Sequence, residues 1–232
     1  YSVHAWDLSV RKAHLDATHG YFNGTSVFLR VHGADHAPCD VVLAKPEGEA
    51  YEDWRVATTL PRVGGEALGF GDFRARDYDE LIDCPVEMGT FVHGTFEAGG
   101  IPHEVALTGV FDVDLERLCA DLKRICEEQL QQMGTPSDLD RYLFQIMVVG
   151  SGYGGLEHRT STSLICSRDD LPRKGDAAMS DGYRTLLALS SHEYFHLWNV
   201  KRIKPARFTP FDLTQESPTT LLWAFEGFTS YY

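Results

Sequence analysis

The segment Ser191-His192-Glu193-Tyr194-Phe195-His196 sets two histidines and a glutamate in H-E-x-x-H spacing. On a helix, His192 and His196 lie one turn apart and share a face. Their imidazole nitrogens then converge on one metal ion at about 2.0–2.1 Å. Glu193 sits beside them, placed to act as general base toward an attacking water. Neutral imidazole suits zinc, which brings no redox chemistry, so the chemistry implied is metal-assisted hydrolysis. The alternative is a helix that carries two histidines by accident. Good helix formers with an apolar face, Arg184-Thr-Leu-Leu-Ala-Leu-Ser190, run into the motif and favour the first reading.

A catalytic zinc takes a third protein ligand and keeps one position open. Glu226 is the candidate, within Trp223-Ala-Phe-Glu-Gly-Phe-Thr-Ser-Tyr-Tyr232. A carboxylate among Trp223, Phe225 and Phe228 is costly to bury unless it is paired or coordinated. Taken alone, Glu226 reads as the wet side of an amphipathic helix; with the upstream motif it reads as a ligand. Asn199, Thr229 and Ser230 are candidates to orient these ligands from behind, or simply to cap and pack. Upstream, Gly150-Ser-Gly-Tyr-Gly-Gly155 is glycine-rich, but no Gly-Lys-Ser/Thr follows, which excludes a phosphate loop. Gly154 and Gly155 read better as a strand edge that a peptide backbone approaches closely. Glu157 and His158 follow directly.

The strings H-E-Y-F-H-L-W-N-V-K-R-I-K-P and W-A-F-E-G-F-T-S-Y-Y resemble the glycyl aminopeptidase family of zinc peptidases, in the thermolysin-like gluzincin group. Gly154-Gly-Leu-Glu-His158 is similar to that family's G-G-L-E-H motif. Ala5-Trp-Asp-Leu-Ser-Val-Arg-Lys-Ala-His-Leu-Asp16 and Gly20-Tyr-Phe-Asn-Gly-Thr25 resemble its amino-terminal β domain. The resemblance implies one zinc per chain on His192, His196 and Glu226, with Glu193 as base. It implies an aminopeptidase that releases small residues, glycine or alanine, from a peptide with a free amino terminus. A glutamate in the similar G-x-M-E-N string of alanyl aminopeptidases binds the substrate amine, so the resemblance makes Glu157 the amine anchor. His158 either binds substrate with it or orients it. The stretch from Trp198 to Thr220 is longer than in those relatives, and W-N-V-K-R-I-K-P within it marks the glycyl aminopeptidase branch. The family also implies a PDZ domain near the carboxyl end, and no PDZ-like sequence occurs in this chain. Two other readings stay open: a zinc endopeptidase, and a peptide-binding module that keeps the site without activity.

These residues need elements to position them. The expected fold class is α+β. An all-β amino-terminal domain spans residues 1–112, and residues 113–232 form the first part of a thermolysin-like domain of mixed sheet and helices. Strand-like runs are Tyr1–Val10, Ser26–Val31 and Glu104–Phe111, separated by signals such as Asn23-Gly24 and Gly99-Gly100. Leu115, Leu118, Leu122, Ile125, Gln129 and Met133 follow helical spacing, with Asp114 as cap and Gly134 as stop. Tyr142–Val149 reads as a buried strand and Ser161–Ile165 as its neighbour. A helix is expected over Asp181–Asn199. A further helix is expected from Pro218, capped by Ser217 and still running at Tyr232, which reads as a catalytic domain truncated at its carboxyl end.

The chain has 232 residues and a net charge of −13. That charge repels phosphate backbones and anionic bilayers, so nucleic acid and membrane are not expected partners. Hydrophobic content of 43% and charged content of 24% fit a globular protein. No apolar run is long enough to span a bilayer. Five cysteines, Cys39, Cys84, Cys119, Cys126 and Cys166, show no C-x-x-C pair. Free thiols point to a cytoplasmic rather than a periplasmic setting. The acidic run Asp77–Asp83 reads as a solvated loop rather than a border of the active site.

Overall fold

The structure is a computed structural model that describes residues 1–176 and 178–232. Its first half is built from short antiparallel strands. Strands β1 (Ala13–Leu15), β2 (His19–Phe22), β6 (Val86–Gly89) and β4 (Arg55–Thr58) form one sheet in the order β1-β2-β6-β4. Strands β3 (Cys39–Leu43) and β5 (Gly71–Ala75) pair separately. Val56, Leu60, Phe73, Ala75, Leu81 and Val86 close the core between them. Leu81 comes from helix α1 (Tyr78–Ile82), whose cap Asp77 accepts from the backbone N–H of Glu80.

Two expected strands are absent from this half. Residues 1–10 make only an isolated bridge, Trp6 to His14, and leave Tyr1 and Trp6 exposed. Val10 is buried, but most of the other apolar side chains here are exposed, so alternation alone does not produce a paired strand. In 26–31 the chain is diverted by Asn23. Its side chain accepts from the N–H of Thr25 and caps a short turn over Gly24–Ser26.

The second half rests on a five-stranded sheet in the order β10-β11-β9-β8-β7. These strands are β7 (Val92–Ala98), β8 (Ile101–Gly109), β9 (Tyr142–Val149), β10 (Tyr153–Glu157) and β11 (Ser161–Ser167). The central strands β8, β9 and β11 run parallel, and β7 and β10 are antiparallel edges. Parallel central strands are covered on both faces, which is why Tyr142–Val149 reads as a nearly continuous apolar run. The Gly99-Gly100 pair turns β7 into β8 with φ values of 57° and 78°, a conformation open to glycine at little cost.

This pairing moves the seam between the halves. Strands β7 and β8 were expected in an amino-terminal domain ending at residue 112. They hydrogen-bond through β9 into the sheet of the second half, so the seam falls near residue 90.

Helix α2 (Leu115–Met133) begins at its cap Asp114, which accepts from the N–H of Arg117, and ends at Gly134 with φ 79°. Its Leu118, Leu122 and Cys126 pack with Phe144, Ile146, Leu186 and Tyr194 into the main core. Helix α3 (Asp181–Phe195) starts at the cap Ser180 and crosses the same sheet. The last helix differs from expectation. A wide turn of π type spans Trp223–Gly227 and passes into the short helix α4 (Phe228–Tyr231); 218–221 are not helical. The Asn199 amide donates to the carbonyls of Ala224 and Phe225, drawing them off a regular ladder. All five cysteines are free thiols, four of them buried. Among the described residues, no helix is long and apolar enough to cross a membrane.

Candidate metal centre

Helix α3 delivers His192 and His196 from its last turn. Their Nε2 atoms lie 3.1 Å apart, with the rings at 86° to one another. The wide turn before α4 brings the Glu226 carboxylate to 3.3 Å from His192 Nε2 and 3.7 Å from His196 Nε2. Two ligands on a tetrahedral zinc with bonds of about 2.0–2.1 Å lie about 3.3–3.4 Å apart. The three separations bracket that value, and two imidazoles with one carboxylate match a zinc donor set, so these residues fit the metal. Glu226 is not held by burial, as the aromatic neighbours had suggested. Its side chain is 49% exposed, and Trp223 and Phe228 are exposed beside it. The helical turn, not desolvation, brings it here.

Each ligand is braced. The carbonyl of Asn199 lies 2.8 Å from His196 Nδ1, so that nitrogen carries the proton and Nε2 keeps its lone pair for a metal. The amide of the same Asn199 reaches Ala224 O at 3.0 Å and Thr229 Oγ1 at 3.2 Å. One residue thus ties the end of α3 to the turn that carries Glu226. Ser230 Oγ lies 3.4 Å from His192 Nδ1, the looser of the two braces. Burial and the neighbouring His196 push the His192 imidazole below its ordinary pKa, which keeps it neutral as a ligand must be.

Glu193 is buried, and one of its carboxylate oxygens has no hydrogen-bond partner. Burial first, then the charges of Glu157 and Glu226, push its carboxyl up to about 8. Strand β10 passes directly over it. A Cβ on Gly155 would lie 2.1 Å from Glu193 Oε1, so only glycine allows this approach. Gly154, by contrast, has open space where its Cβ would be. The carboxylate of Glu157 comes within 4.8 Å of ligand atoms of both Glu193 and His196. As the edge strand of its sheet, β10 keeps one side unpaired. An open cleft of about 800 Å³ lies alongside, walled by Tyr153, Gly155, Ala188, His192, Glu193 and Tyr231.

His158 is placed differently from the other sequence candidates. It is buried behind β10, where Asn23 Nδ2 donates to its Nε2 at 3.1 Å. Burial drives its pKa down to about 4, so it stays neutral. It therefore faces the protein interior rather than the cleft. Sequence reasoning also left out the groups beneath Glu157. Asp83, the end of the supposed solvated run, is half-buried and accepts from Lys201 Nζ at 2.8 Å and from the N–H of Arg159 at 2.8 Å. Two lysines and an arginine in the Trp198–Pro205 string were the available signal, but nothing local marks which of them is buried.

Known proteins give a matching picture. Residues 1–90 match the family described as the peptidase M61 N-terminal domain, and residues 185–232 match M61 glycyl aminopeptidase. The crystal structure of an aminopeptidase N family protein from Idiomarina loihiensis superposes with a TM-score of 0.95 at 47% identity. The match covers 99% of this chain and 38% of that one, so the chain spans well under half of that relative. Legionella pneumophila aminopeptidase A, solved with aspartic acid, gives a TM-score of 0.54 at 13% identity, covering 82% of this chain and 23% of its own. That second likeness is one of fold alone. No curated protein matched the sequence. The chain belongs to the M61 glycyl aminopeptidase family.

Proposed function

We propose that this chain carries the zinc site and amine anchor of an aminopeptidase that removes one amino-terminal residue at a time from peptides. The observation that carries this reading is the closeness of Glu157 to Glu193 and His196, all within 4.8 Å at their ligand atoms. In a peptide, the amino nitrogen and carbonyl carbon of one residue are about 2.5 Å apart. An ammonium held by Glu157 leaves room for a single residue before the carbonyl that faces Glu193. An endopeptidase would need that space open, so the anchor favours release of one residue.

His192, His196 and Glu226 would hold the zinc. When bound, the ion supplies a Lewis acid that activates water and polarises the scissile carbonyl. Glu193 accepts a proton from the attacking water and returns it to the leaving amine. Its buried, unpaired oxygen is available for that exchange. The free side of β10 takes the substrate backbone as an added strand, and Gly155 lets it lie close to the base. Glu157 fixes the register through the substrate ammonium. Preference for glycine or alanine rests on the family alone.

Two variants test the assignment in the full-length protein. Glu193→Gln keeps zinc and lowers turnover on the order of 10²–10⁴-fold; a variant that kept its rate would remove Glu193 from the base role. Glu157→Ala reduces cleavage of a free-amine peptide far more than cleavage of the same peptide acetylated at its amino end. Equal losses on both would exclude the anchor and leave an endopeptidase.

A further inference from the structure

We propose that His14, Asp16 and His19 form a second zinc site, on the β1–β2 hairpin and separate from the centre on α3. None of the three is used in the peptidase reading. Their placement follows from register. His14 lies in β1 and Asp16 just past its end, and their side chains meet at 3.2 Å. The N–H of Asp16 donates to the carbonyl of His19 at 3.1 Å, which sets His19 across from Asp16. One ligand atom from each residue lies within 4.8 Å of the other two.

The buried carboxylate of Glu87 accepts from His19 Nδ1 at 3.1 Å, which fixes the ring. Glu87 is held in turn by the hydroxyl of Thr108 at 2.9 Å. A carboxylate behind a histidine is the usual outer support of a ligating imidazole. Asp16 Oδ1 accepts from Thr18 N at 2.7 Å, Thr18 Oγ1 at 2.6 Å and His19 N at 3.1 Å. Those bonds hold the carboxyl well below the ordinary carboxylate range, so it is anionic. Its Oδ2 faces His14 Nε2 at 3.2 Å, close to the spacing of two ligands on tetrahedral zinc. His14 has no partner at its buried Nδ1, so Asp16 is its one anchor. The two imidazoles stack at 5.0 Å with 27° between planes, and Trp6 stacks over His14 at 5.5 Å. Asp16 remains 34% exposed, which leaves a path for the ion and for water as a fourth ligand. Two imidazoles and one carboxylate suit zinc over calcium or magnesium. Residues 1–10 bond to this hairpin at few points, Asp7 to Ala13 and Leu15 to Ala5 among them, so an ion here would stiffen their base.

The test is zinc stoichiometry of the full chain, by elemental analysis after equilibration with zinc and gel filtration. Wild type should hold two zinc ions and the H192A/H196A variant one. Adding D16N to that variant should weaken the remaining ion at least about ten-fold in chelator competition. D16N keeps the Oδ1 bonds of the turn and removes only the anionic ligand. If H192A/H196A fails to fold by circular dichroism, D16N alone decides: stoichiometry should fall from two to one with peptidase turnover unchanged. A folded H192A/H196A variant that takes up no zinc, a wild-type stoichiometry of one, or a second ion indifferent to D16N and H14A would each overturn the proposal. The cluster would then be hydrogen-bonded pairs only.

Discussion

At the residue scale, the chemistry depends on how single side chains are held. Asn199 uses its carbonyl on His196 and its amide on the Glu226 turn. Asn199→Ala removes the amide bonds and leaves the carbonyl in place. It should weaken zinc binding by about 10–100-fold, as loss of an outer support generally does. Chelator competition at fixed pH measures this; unchanged affinity would reduce Asn199 to a packing residue. His103 offers a test of a different kind, in the core behind the helix that carries the two histidines. Its Nδ1 donates to Ile101 O at 2.8 Å, and its Nε2 accepts from the Tyr194 hydroxyl at 2.9 Å, the pattern of a neutral ring. Burial drives its pKa from 6.5 down to about 4. Between those values the unfolded chain binds a proton that the folded chain does not. Stability is therefore fully present above 6.5, falls as pH drops toward 4, and levels off below. The contribution lost between pH 7 and pH 4.5 is about 2–3 kcal/mol. His103→Gln should show a correspondingly smaller drop across that interval in urea unfolding, and an equal drop would show that His103 titrates normally.

At the element scale, β10 and α3 must meet at one point. Gly155→Ala sets a methyl where Glu193 Oε1 now lies, so either the edge strand or the base must move. Turnover should fall by about 10²-fold or more while the fold persists, because a misplacement of about 1 Å is enough for that loss. Gly154→Ala meets nothing and should act as the silent control. If both variants behaved alike, the close approach would carry no function. Much of this element layer is legible in the residues themselves. Asp114 and Gly134 bound α2, and the apolar run Tyr142–Val149 is β9, because caps and periodicity are local properties. H-E-x-x-H placed the two histidines because one helical turn sets their separation. What was not legible depends on distant partners. Asn199 reshapes the turn at Trp223–Gly227, so the start of the last helix shifted from Pro218. Strands β7 and β8 look like any antiparallel hairpin, and only pairing with β9 assigns them to the second sheet. Glu226 does lie beside His192, but the burial that pointed to it in the sequence is absent from the structure.

At the scale of the whole molecule, the two halves are joined through polar groups. Tyr21 donates to Ser163, Gln145 to the carbonyl of Ala57, Arg141 to the carbonyl of Thr58, and Asn23 to His158. The most demanding joint is Asp83 with Lys201. Asp83 follows α1 in the first half, and Lys201 lies just past His192 and His196. Burial opposes both charges. Their attraction overcomes it, holding the Asp83 carboxyl below its ordinary pKa and the Lys201 ammonium above its own. A half-buried pair of this kind is more costly to break on one side than to replace on both. Lys201→Met leaves the half-buried Asp83 carboxylate beside the Arg159 N–H and guanidinium, and should destabilise by about 1–3 kcal/mol. Asp83→Asn together with Lys201→Met removes both charges and should recover most of that loss. Urea unfolding of the four proteins in a double-mutant cycle reads the coupling directly. Strong coupling would mean that the first half helps to fix the segment immediately behind the zinc ligands, so that the β domain takes part in shaping the site. Additive losses would mean that the two residues stabilise their own halves independently, and that the join rests on the other contacts between the halves.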